Sequence, residues 1–565
     1  MVRPLPVGVD DFGKIISKGY YYVDKTLFIK ELLDKKGEVN LFTRPRRFGK
    51  TLTISMIRYF FEDTGEAAVN EANQALFQGL QIMDQGERYT QEMCGYPTIN
   101  LSLKSSKQPN WELAYGCLKE AIGEEYSRHR NVMESLDLPE QKRRYEDIMN
   151  LRGSRQDFST SIWFLSKCLY QHYGKNAIIL IDEYDVPLEN SYFSGFYDEM
   201  IGFIRSIFES ALKTNPYLEF SVITGCLRIT KESIFTGLNN PKMISILNPS
   251  YSEYFGFTQK EIDGVLEYYG LSEQSSRIEA WYNGYLFGGT KVYNPWSVMN
   301  YIEVLLADPT EFPSPYWANT SSNSIVRSLI ENADPSVKGE LEILLAGGTI
   351  EKPVHEEITY DSVYDSEDNL WNFLFFTGYL KLISRRLEGE NRYITMGIPN
   401  LEVKYIYTNM IENWFTEKIK SKDLSTMYQA MQDGNAEVFE NELTRLLKES
   451  ISYMDAKEAF YHGFLLGVLG NMSDCIVKSN RESGNGRLDI VVKNLDDSKP
   501  PIIMEIKVSE TFKKLETACD KAMKQIVDME YDSWVPEDGY TEVLNYGIAF
   551  FRKRCKIKVQ RRQFL

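Results

Sequence analysis

The sequence has few of the residues that build disulfide frameworks and soft-metal sites. Its 565 residues include seven cysteines, none of them in a C-x-x-C pair, and only four histidines. This composition argues against a disulfide-stabilised fold, a zinc ribbon and a histidine-rich metal centre. Because scattered, unpaired cysteines are typical of a reducing compartment, we expect a cytoplasmic protein.

Long hydrophobic runs are also absent. The most apolar stretch, 370–383, is short and is interrupted by Asn372, Gly378 and Lys381, so it is predicted to form a buried helix or a pair of strands instead of a membrane span. The beginning of the sequence contains no apolar segment of the kind that signal peptides carry. We therefore predict a protein that does not associate with a membrane.

Positive charge is scarce overall. The formal net charge is −16 at pH 7, which argues against a protein that coats nucleic acid by charge alone, because phosphate binding relies on lysine and arginine. Two basic clusters nevertheless stand out, one at 44–47 and one in the tail at 552–562. Such clusters are usually solvated faces, but they also suit a local basic groove for DNA.

A basic turn, TRPRRFGKT at 43–51, separates a run of strand formers from a segment with apolar residues at helical spacing. Strand, turn and helix with Gly-Lys-Thr at the helix start are typical of a phosphate-binding loop, because the first helical turn offers free N–H groups and the positive end of its dipole. Gly49 would let the backbone approach the phosphates, Lys50 would reach the β and γ oxygens, and Thr51 would ligate Mg²⁺.

Arg44 stands where the usual G-x-x-x-x-G-K-[ST] pattern has its first glycine. Taken alone, the stretch therefore fits either a nucleotide site or an amphipathic helix behind a basic turn. A second motif, AIILIDEYD at 177–185, favours the nucleotide site, because its aliphatic run predicts a strand buried in a parallel sheet and its end carries Asp182 and Glu183. We expect Asp182 to hold the Mg²⁺ shell through water and Glu183 to orient or activate the attacking water.

A further predicted strand, 218–225, ends beside two polar candidates. Thr224 is positioned to sense the γ-phosphate, and Arg228 is either a nucleotide contact or a plain surface arginine. We expect ATP and Mg²⁺ as the cofactors of this site. The residues predicted to bind the nucleotide are Arg46, Arg47, Phe48, Gly49, Lys50, Thr51, Leu52, Asp182, Thr224 and Arg228.

A second group of charged residues lies in the C-terminal part. The segments 486–492 (GRLDIVV) and 501–508 (PIIMEIKV) are predicted to be adjacent strands of a hairpin-like unit, and they carry Asp489 and Glu505 in otherwise apolar runs. Lys507 is two residues from Glu505 and so projects from the same face. Two carboxylates suit a Mg²⁺ ion that polarises a phosphodiester and activates its water, while Lys507 orients that water or offsets developing charge.

The same residues also allow a purely structural interpretation. Glu505 could form a salt bridge with Lys507 or Arg487 on an edge strand. Gln525 and Tyr531, on and after the next predicted helix, either complete the site or only pack.

Aromatic residues occur in several clusters outside these motifs. At 281–285, 293–296 and 316–319 they are interleaved with asparagine, so they either stack bases or fill the core, and we favour the core. The segment around 20–37 is predicted to be an extended packing element that leads into a helix.

The N-terminal motifs resemble a bacterial and archaeal "AAA-ATPase-like" P-loop family, in which the arginine-rich loop is usual. The matching segments are YYVDKT at 21–26, FTRPRRFGKT at 42–51, LIDEYD at 180–185 and TGCLRITKESIFTGLNN at 224–240.

The C-terminal motifs resemble the PD-(D/E)XK nuclease superfamily domain that is commonly fused to that family. They are GRLDIVV at 486–492, MEIKV at 504–508 and KQI at 524–526. The upstream acidic residue of that superfamily is either Glu458 or Glu482 here. The resemblance implies a prokaryotic origin and a role in defence against, or processing of, foreign DNA.

These observations predict an α/β protein in three parts. A P-loop NTPase domain with a parallel sheet and helices on both faces spans 1–255, a mostly helical lid or adaptor region spans 256–430, and an α/β restriction-endonuclease-like domain spans 431–565. We expect the nucleotide and, through a local basic groove, DNA as partners, and a homo-oligomer is compatible with this organisation.

The function predicted from the sequence is an ATPase coupled to a metal-dependent DNA nuclease. A nucleotide-dependent scaffold with an inactive nuclease-like domain, and a nuclease whose P-loop binds nucleotide without hydrolysis, are the alternatives. The predicted catalytic residues are Glu183, Asp489, Glu505 and Lys507. The predicted metal ligands are Thr51, Asp182, Asp489 and Glu505.

Overall fold

The structure, a computed structural model, falls into two compact units. One contains Met1–Leu329 and Ile350–Tyr405, and the other contains Ile330–Thr349 and Ile406–Leu565. The finer division into three parts stays a prediction. The residues that the structure describes are 2–228, 241–319, 326, 335–356, 361–420, 422–449, 458–472, 474–483, 486–496 and 499–564.

A five-stranded parallel sheet forms the centre of the first unit. Its strands are β1 Val39–Thr43, β2 Thr98–Ser102, β3 Ala177–Asp182, β4 Leu218–Gly225 and β5 Lys242–Ile244. Their order in the sheet is β2-β3-β4-β1-β5. β1 and β3 are buried along their whole length, because runs of aliphatic residues suit a strand covered on both faces. This confirms the predicted parallel sheet.

Helices connect and flank these strands. The first of them to follow β1 begins at Lys50, within the phosphate-loop candidate. The helices up to the end of β4 are Phe12–Ser17, Leu27–Lys35, Lys50–Phe61, Ala67–Ala75, Glu87–Thr90, Trp111–Arg128, Pro139–Met149, Arg155–Ser159, Ser161–Tyr173, Val186–Ser194 and Tyr197–Leu212.

The segment YYVDKT acts partly as a packing element, as predicted. The Asp24 carboxylate accepts hydrogen bonds from the Thr26 hydroxyl (2.6 Å) and from the backbone N–H of Gln81 (2.8 Å). The Thr26 hydroxyl in turn accepts from the backbone N–H of Ile82 at 3.2 Å. These two side chains therefore attach the N-terminal segment to the start of the 3₁₀ helix Gln81–Gln85.

The region after β5 contains helices and, beyond the prediction, two small sheets. β6 (Tyr285–Phe287) and β7 (Thr290–Val292) form an antiparallel hairpin. β8 (Ile350–Pro353), β9 (Lys381–Glu388) and β10 (Asn391–Gly397) form a sheet of order β8-β10-β9. The helices here are Gln259–Tyr269, Ser275–Tyr282, Pro295–Ala307, Glu367–Phe376 and Leu401–Lys420.

The apolar stretch 370–383 forms neither a single helix nor a strand pair but a helix followed by a strand. Gly378 separates them with φ +93°, a conformation that favours glycine. A Cβ at this position would also lie 2.8 Å from the Cβ of Pro45 in the phosphate loop. The sequence pattern could not reveal this division, because the constraint comes from a distant part of the chain.

Most of the aromatic clusters fill the core, as favoured. Tyr282, Tyr293 and Tyr301 are fully buried in one hydrophobic cluster, and Trp317 is also buried. Trp296 differs, because it is only partly buried.

Glu402, in the first turn of Leu401–Lys420, is an acid buried in this core. Both of its carboxylate oxygens accept from the Ser297 hydroxyl at 2.9 Å, and one accepts from the backbone N–H of Trp317 at 2.9 Å. Burial raises the pKa of Glu402 to about 7, although the bonds from Trp317 and Ser297 act in the opposite direction. The carboxyl is therefore protonated in much of the folded protein near neutral pH.

We expect the thermal stability of this core to fall as pH rises. Glu402 has its ordinary pKa of 4.5 in the unfolded chain and a pKa of about 7 in the folded chain. The contribution of its proton to the free energy of unfolding is therefore fully present below pH 4.5 and is lost as the pH rises through 7. The loss is about 3 kcal/mol at most. Glu402→Gln, which keeps an acceptor for Trp317 and gains a donor for Ser297, should flatten the pH dependence of the unfolding midpoint between pH 4.5 and 8. Glu303→Gln, at an exposed position, is the control, and an unchanged pH dependence in Glu402→Gln would contradict the assignment.

The second unit is built on a mixed five-stranded sheet. Its strands are β11 Cys475–Ser483, β12 Gly486–Asn494, β13 Ile502–Val508, β14 Glu542–Phe551 and β15 Arg554–Gln563. Their order is β11-β12-β13-β14-β15. β13 and β14 run parallel, and the other neighbouring pairs are antiparallel. The helices are Pro335–Leu345, Ser425–Asp433, Ala436–Glu449, Glu458–Leu469 and Leu515–Asp528.

Both units combine helices with sheets, which confirms the predicted α/β class. Within the described ranges, no helix is long and apolar enough to cross a membrane.

Candidate nucleotide site and candidate nuclease site

The phosphate-loop candidate joins β1 to the helix Lys50–Phe61. Gly49 precedes this helix with φ +85°, and a Cβ there would meet nothing within 4 Å, so glycine suits the backbone conformation and is not required by lack of space. Lys50 is buried, and its ammonium donates to the carbonyl oxygens of Arg44 (3.0 Å) and Pro45 (2.9 Å). The loop therefore curls around its own lysine.

Arg44, the residue that replaces the first glycine, packs behind the loop. It is fully buried and donates to the carbonyl oxygens of Thr43 and Ile244, both at 2.9 Å. Its guanidinium lies 5.0 Å from the ring centre of Phe255 and 5.4 Å from that of Phe287. Burial lowers the pKa of Arg44 to about 9. Arg44, which departs from the usual pattern, thus connects the loop to β5 by a buried hydrogen bond.

Asp182 connects the phosphate-loop helix to β4. Its Oδ2 accepts a hydrogen bond from the Thr51 hydroxyl at 2.7 Å, and its Oδ1 accepts from the Thr224 hydroxyl. Three residues predicted from separate motifs therefore meet at the carboxyl ends of neighbouring strands.

Glu183, the next residue, has a left-handed backbone with φ +54°. It lines the cavity described below, and burial raises its pKa, with the negative charge of Asp182 adding to the effect. Lys50 and Lys104 act in the opposite direction. An acid with a raised pKa in a cavity is suited to proton transfer.

Asp185, for which no role was predicted from the sequence, supports this turn. It is buried, and its Oδ2 accepts from the backbone N–H of Cys226 (2.7 Å) and of Leu227 (3.1 Å). The Tyr184 hydroxyl donates to the carbonyl of Leu227 at 2.5 Å. The third acid of the DEYD motif thus fixes the segment that follows Thr224.

The remaining loop residues make varied contacts. The Arg46 guanidinium bonds both carboxylate oxygens of Glu189. Arg47, with φ +68°, places its guanidinium 4.2 Å from the ring centre of Trp296. Phe48 is fully buried, with its ring 4.9 Å from that of Tyr285, so its role includes packing.

A cavity of about 370 Å³ opens over this loop. All predicted loop residues from Arg46 to Leu52 line the cavity, as does Glu183. Asp182 and Thr224 do not line it. Asp182 contacts the lining residue Thr51, and Thr224 contacts Asp182. Arg228 does not line it. Lys104 and Lys107, which follow β2 and were not singled out from the sequence, do line it.

The candidate nuclease residues lie where β12 and β13 cease to pair. The last paired residues are Ile490 and Met504, and beyond them the Asp489 Oδ2 accepts from the backbone N–H of Ile506 at 2.8 Å. This bond holds the carboxylate beside β13. A ring nitrogen of His462, on the helix Glu458–Leu469, hydrogen-bonds the carbonyl oxygen of Asp489 at 3.0 Å. His462 was not predicted from the sequence, because the pattern of its helix does not indicate a contact with a strand.

Glu505 and Lys507 project from the same side of β13, as predicted. Glu505 is 1% exposed, and its Oε1 accepts from the Lys507 ammonium at 2.8 Å. β13 is the middle strand of its sheet. The structural alternative placed this salt bridge on an edge strand, and that placement is wrong. The predicted ion pair between Glu505 and Lys507 does form.

The other residues considered for this site fall in different places. The Gln525 amide donates to the Tyr531 hydroxyl at 3.2 Å, and Tyr531 is buried in a hydrophobic cluster, so it also packs. Glu458 begins a helix and Glu482 lies in β11, but their side chains lie outside the described part. Among the described residues, no group of three or more histidine, cysteine, aspartate or glutamate side chains is arranged to hold a metal ion.

The basic tail is largely paired with acids. The distances are Lys556–Glu440 3.1 Å, Lys558–Asp520 2.5 Å, Arg561–Glu542 3.6 Å and Arg562–Asp532 2.9 Å. β15 thus offers less uncompensated positive charge for a phosphate backbone than the sequence suggests.

Comparison with known proteins bears on both sites. Residues 6–235 match the sequence model of a family described as "Predicted AAA-ATPase", and residues 456–560 match that of the PD-(D/E)XK nuclease superfamily. A protein of Azotobacter chroococcum mcd 1, described as "Uncharacterized protein in vnfD 5'region", is 26% identical over 407 residues, which cover 71% of this chain and 68% of that protein.

The two matched segments contain the two groups of candidate residues. Thr51, Asp182 and Thr224 lie in the first segment, and Asp489 and Glu505 lie in the second. The resemblances recognised from the motifs are therefore confirmed: the chain carries an AAA-ATPase-like domain at its N-terminal side and a PD-(D/E)XK nuclease superfamily domain at its C-terminal side.

Proposed function

We propose that this protein hydrolyses ATP and uses the nucleotide to control a Mg²⁺-dependent DNA nuclease in the same chain. The observation that carries the proposal is the bridge from Thr51 through Asp182 to Thr224 beside a buried loop lysine. Such a bridge joins the helix start to two strand ends, which is where a triphosphate and its metal are bound in P-loop proteins.

The residues of the loop fit a triphosphate. The helix Lys50–Phe61 presents free N–H groups at its start, and Gly49 supplies a backbone without a side chain. When phosphate oxygens arrive, the Lys50 ammonium would exchange its carbonyl acceptors for them. Lys104, an exposed residue that lines the same cavity, would add positive charge.

The same site fits Mg²⁺ in its donor chemistry. The Thr51 hydroxyl and an Asp182 carboxylate oxygen are hard oxygen donors that already lie 2.7 Å apart. The ion would neutralise phosphate charge when bound. Glu183, with its raised pKa, would hold the attacking water and accept its proton.

The second site fits a metal-dependent hydrolysis of phosphodiesters. Asp489 and Glu505 supply carboxylates from neighbouring strands, and Lys507 lies beside Glu505. The ion held there would polarise the phosphate. Lys507 would orient water or balance charge on the phosphate, and Asp489 is fixed in place by the N–H of Ile506.

The setting of this activity is part of the proposal. All seven cysteines are free thiols, which supports a reducing compartment such as the cytoplasm. The resemblance of both domains supports a prokaryotic role in defence against, or processing of, foreign DNA, with a homo-oligomer as a compatible state. The intact Asp489, Glu505 and Lys507 favour the enzyme over a binding or signalling scaffold.

Cleavage and phosphate release measured together test this proposal. Plasmid and single-stranded DNA are incubated with the full chain and Mg²⁺ or Mn²⁺, with and without ATP, and with EDTA as the metal-free control. We expect cleavage that needs the metal and changes with ATP, together with ATP hydrolysis. Phosphate release without cutting of any substrate would instead favour the nucleotide-dependent scaffold.

A further inference from the structure

The edge of the sheet beside the candidate nuclease residues continues into two further segments. β13 and β14 run parallel, and just beyond β13 the backbone N–H of Ser509 donates to the carbonyl oxygen of Phe550 at 2.8 Å. The carboxyl ends of both strands therefore lie together. The chain leaves this edge through the segment 509–514 after β13 and through the turn 552–553 after β14.

The register of the strands defines which face of the sheet is involved. Residues opposite each other on neighbouring strands project to the same face, as do residues two apart in one strand. Lys507 is opposite Ala549, and Phe551, two residues further along β14, is opposite Arg554. Arg554 therefore lies on the face that carries Lys507 and Glu505.

An exposed aromatic ring and a guanidinium group meet at this edge. Phe512 lies just before the helix Leu515–Asp528 and is 54% exposed. The Arg554 guanidinium lies 4.9 Å from the centre of the Phe512 ring. Because both groups are planar, the Phe512–Arg554 pair offers a stacking surface.

The positive charge at this edge is compensated only in part. The Lys514 ammonium bonds the Glu510 carboxylate at 2.9 Å. Among the residues whose structure is described, neither Arg554 nor the exposed Lys513 forms an ion pair with an acid. Arg554 thus differs from the paired basic residues further along β15. The edge combines an aromatic ring with positive charge, which is typical of surfaces that bind single-stranded nucleic acid.

This combination favours an unpaired strand over a duplex. In a duplex the faces of the bases are stacked on one another, so a protein ring can stack only on a base that is unpaired. Duplex binding relies instead on a row of cations along the phosphates. The acids bonded to Lys556, Lys558, Arg561 and Arg562 compensate such a row on β15.

We propose that the Phe512–Arg554 pair stacks on an unpaired base beside the nuclease site, and that the enzyme therefore takes single-stranded DNA in preference to a duplex. This inference rests on the proposed function, since it names the form of DNA that the same site cuts. The ring and the guanidinium contact the base, and Lys513 contacts a neighbouring phosphate.

Fluorescence anisotropy of the full chain in EDTA, which prevents cleavage, measures this preference. The probes are a labelled thymidylate strand, the same sugar–phosphate strand without bases, and a thymidylate–adenylate duplex of equal length. We expect the wild-type chain to bind the thymidylate strand about tenfold more tightly than the abasic strand, in the range of one stacked base. It should also bind the thymidylate strand more tightly than the duplex.

Phe512→Ala should weaken binding of the thymidylate strand about tenfold and change binding of the abasic strand little. Phe512→Trp should keep the preference. Arg554→Lys should lose part of it, because lysine keeps the charge without the planar group. Leu495→Ala alters another exposed apolar side chain of the same unit, and this control should bind all three probes like the wild type.

The stacking surface is overturned if Phe512→Ala weakens binding of both single strands equally, or if the wild-type chain binds the duplex more tightly than the thymidylate strand. Cleavage of the same probes with Mg²⁺ or Mn²⁺ tests the proposed function separately. A chain that shows the predicted preference but cuts no DNA would support the stacking surface and overturn the proposed nuclease. A chain that cuts DNA but binds all three probes equally would overturn the stacking surface alone.

Discussion

Lys50→Ala is expected to lower ATP turnover by about a hundredfold to a thousandfold, the usual effect of removing a positioned charge from a phosphoryl-transfer site. Lys50 is buried within the loop, and its ammonium bonds the carbonyl oxygens of Arg44 and Pro45. Alanine leaves those carbonyls and any bound phosphate without this cation. Phosphate release under steady-state conditions measures the effect.

The control for this prediction is a lysine far from the loop. Lys213 is exposed after the helix Tyr197–Leu212, so Lys213→Ala should turn over ATP like the wild type. Circular dichroism should show that Lys50→Ala remains folded. A folded Lys50→Ala protein with wild-type turnover would rule out the loop as the phosphate site.

Asp489→Asn is expected to reduce DNA cleavage on the order of a thousandfold while ATP turnover stays unchanged. Asparagine keeps an oxygen that can accept the hydrogen bond from Ile506 N–H, which Asp489 now accepts at 2.8 Å. The variant therefore removes the negative charge without removing the contact that holds the side chain. Loss of cleavage would consequently report the charge that a metal ion needs.

The comparison is sharpened by two further variants. Lys507→Ala should also lose cleavage, because it removes the cation 2.8 Å from Glu505. Asp528→Asn, at an exposed position at the end of Leu515–Asp528, should cut like the wild type. Cleavage by Asp489→Asn at the wild-type rate would show that the proposed metal site is elsewhere.

Local patterns allowed the elements that carry both sites to be predicted. The aliphatic run before Asp182 and the apolar spacing after Thr51 specify a buried strand and a helix through residues close in sequence. Glu505 and Lys507 are brought together by the two-residue period of a strand. These predictions needed no knowledge of distant contacts.

The features that escaped prediction all depend on distant contacts. The Arg44 side chain is held by the carbonyl of Ile244, which lies 200 residues later in the chain. The compensation of Lys556 and Arg562 depends on acids from other elements. Trp296 lines the cavity, and the helix that carries it is bonded through Ser297 to Glu402, which is remote in sequence.

The roles of individual acidic residues could also be predicted only in part from the sequence. Asp185 belongs to a motif that was recognised, but the sequence gives no indication that it binds the N–H groups of Cys226 and Leu227. Such a bond forms only because β3 and β4 are neighbours. The order of strands in a parallel sheet is a property of the whole fold and is not encoded in a short motif.

Control of the nuclease by the nucleotide is tested most directly by the ATP dependence of DNA cleavage. The measurement compares cleavage rates of the wild-type chain and Lys50→Ala with Mg²⁺, with and without ATP, using Asp489→Asn to define the background. We expect ATP to change the wild-type rate and to have no effect on Lys50→Ala. Cleavage that is abolished in Asp489→Asn yet proceeds equally with and without ATP in the wild type would contradict control by the nucleotide.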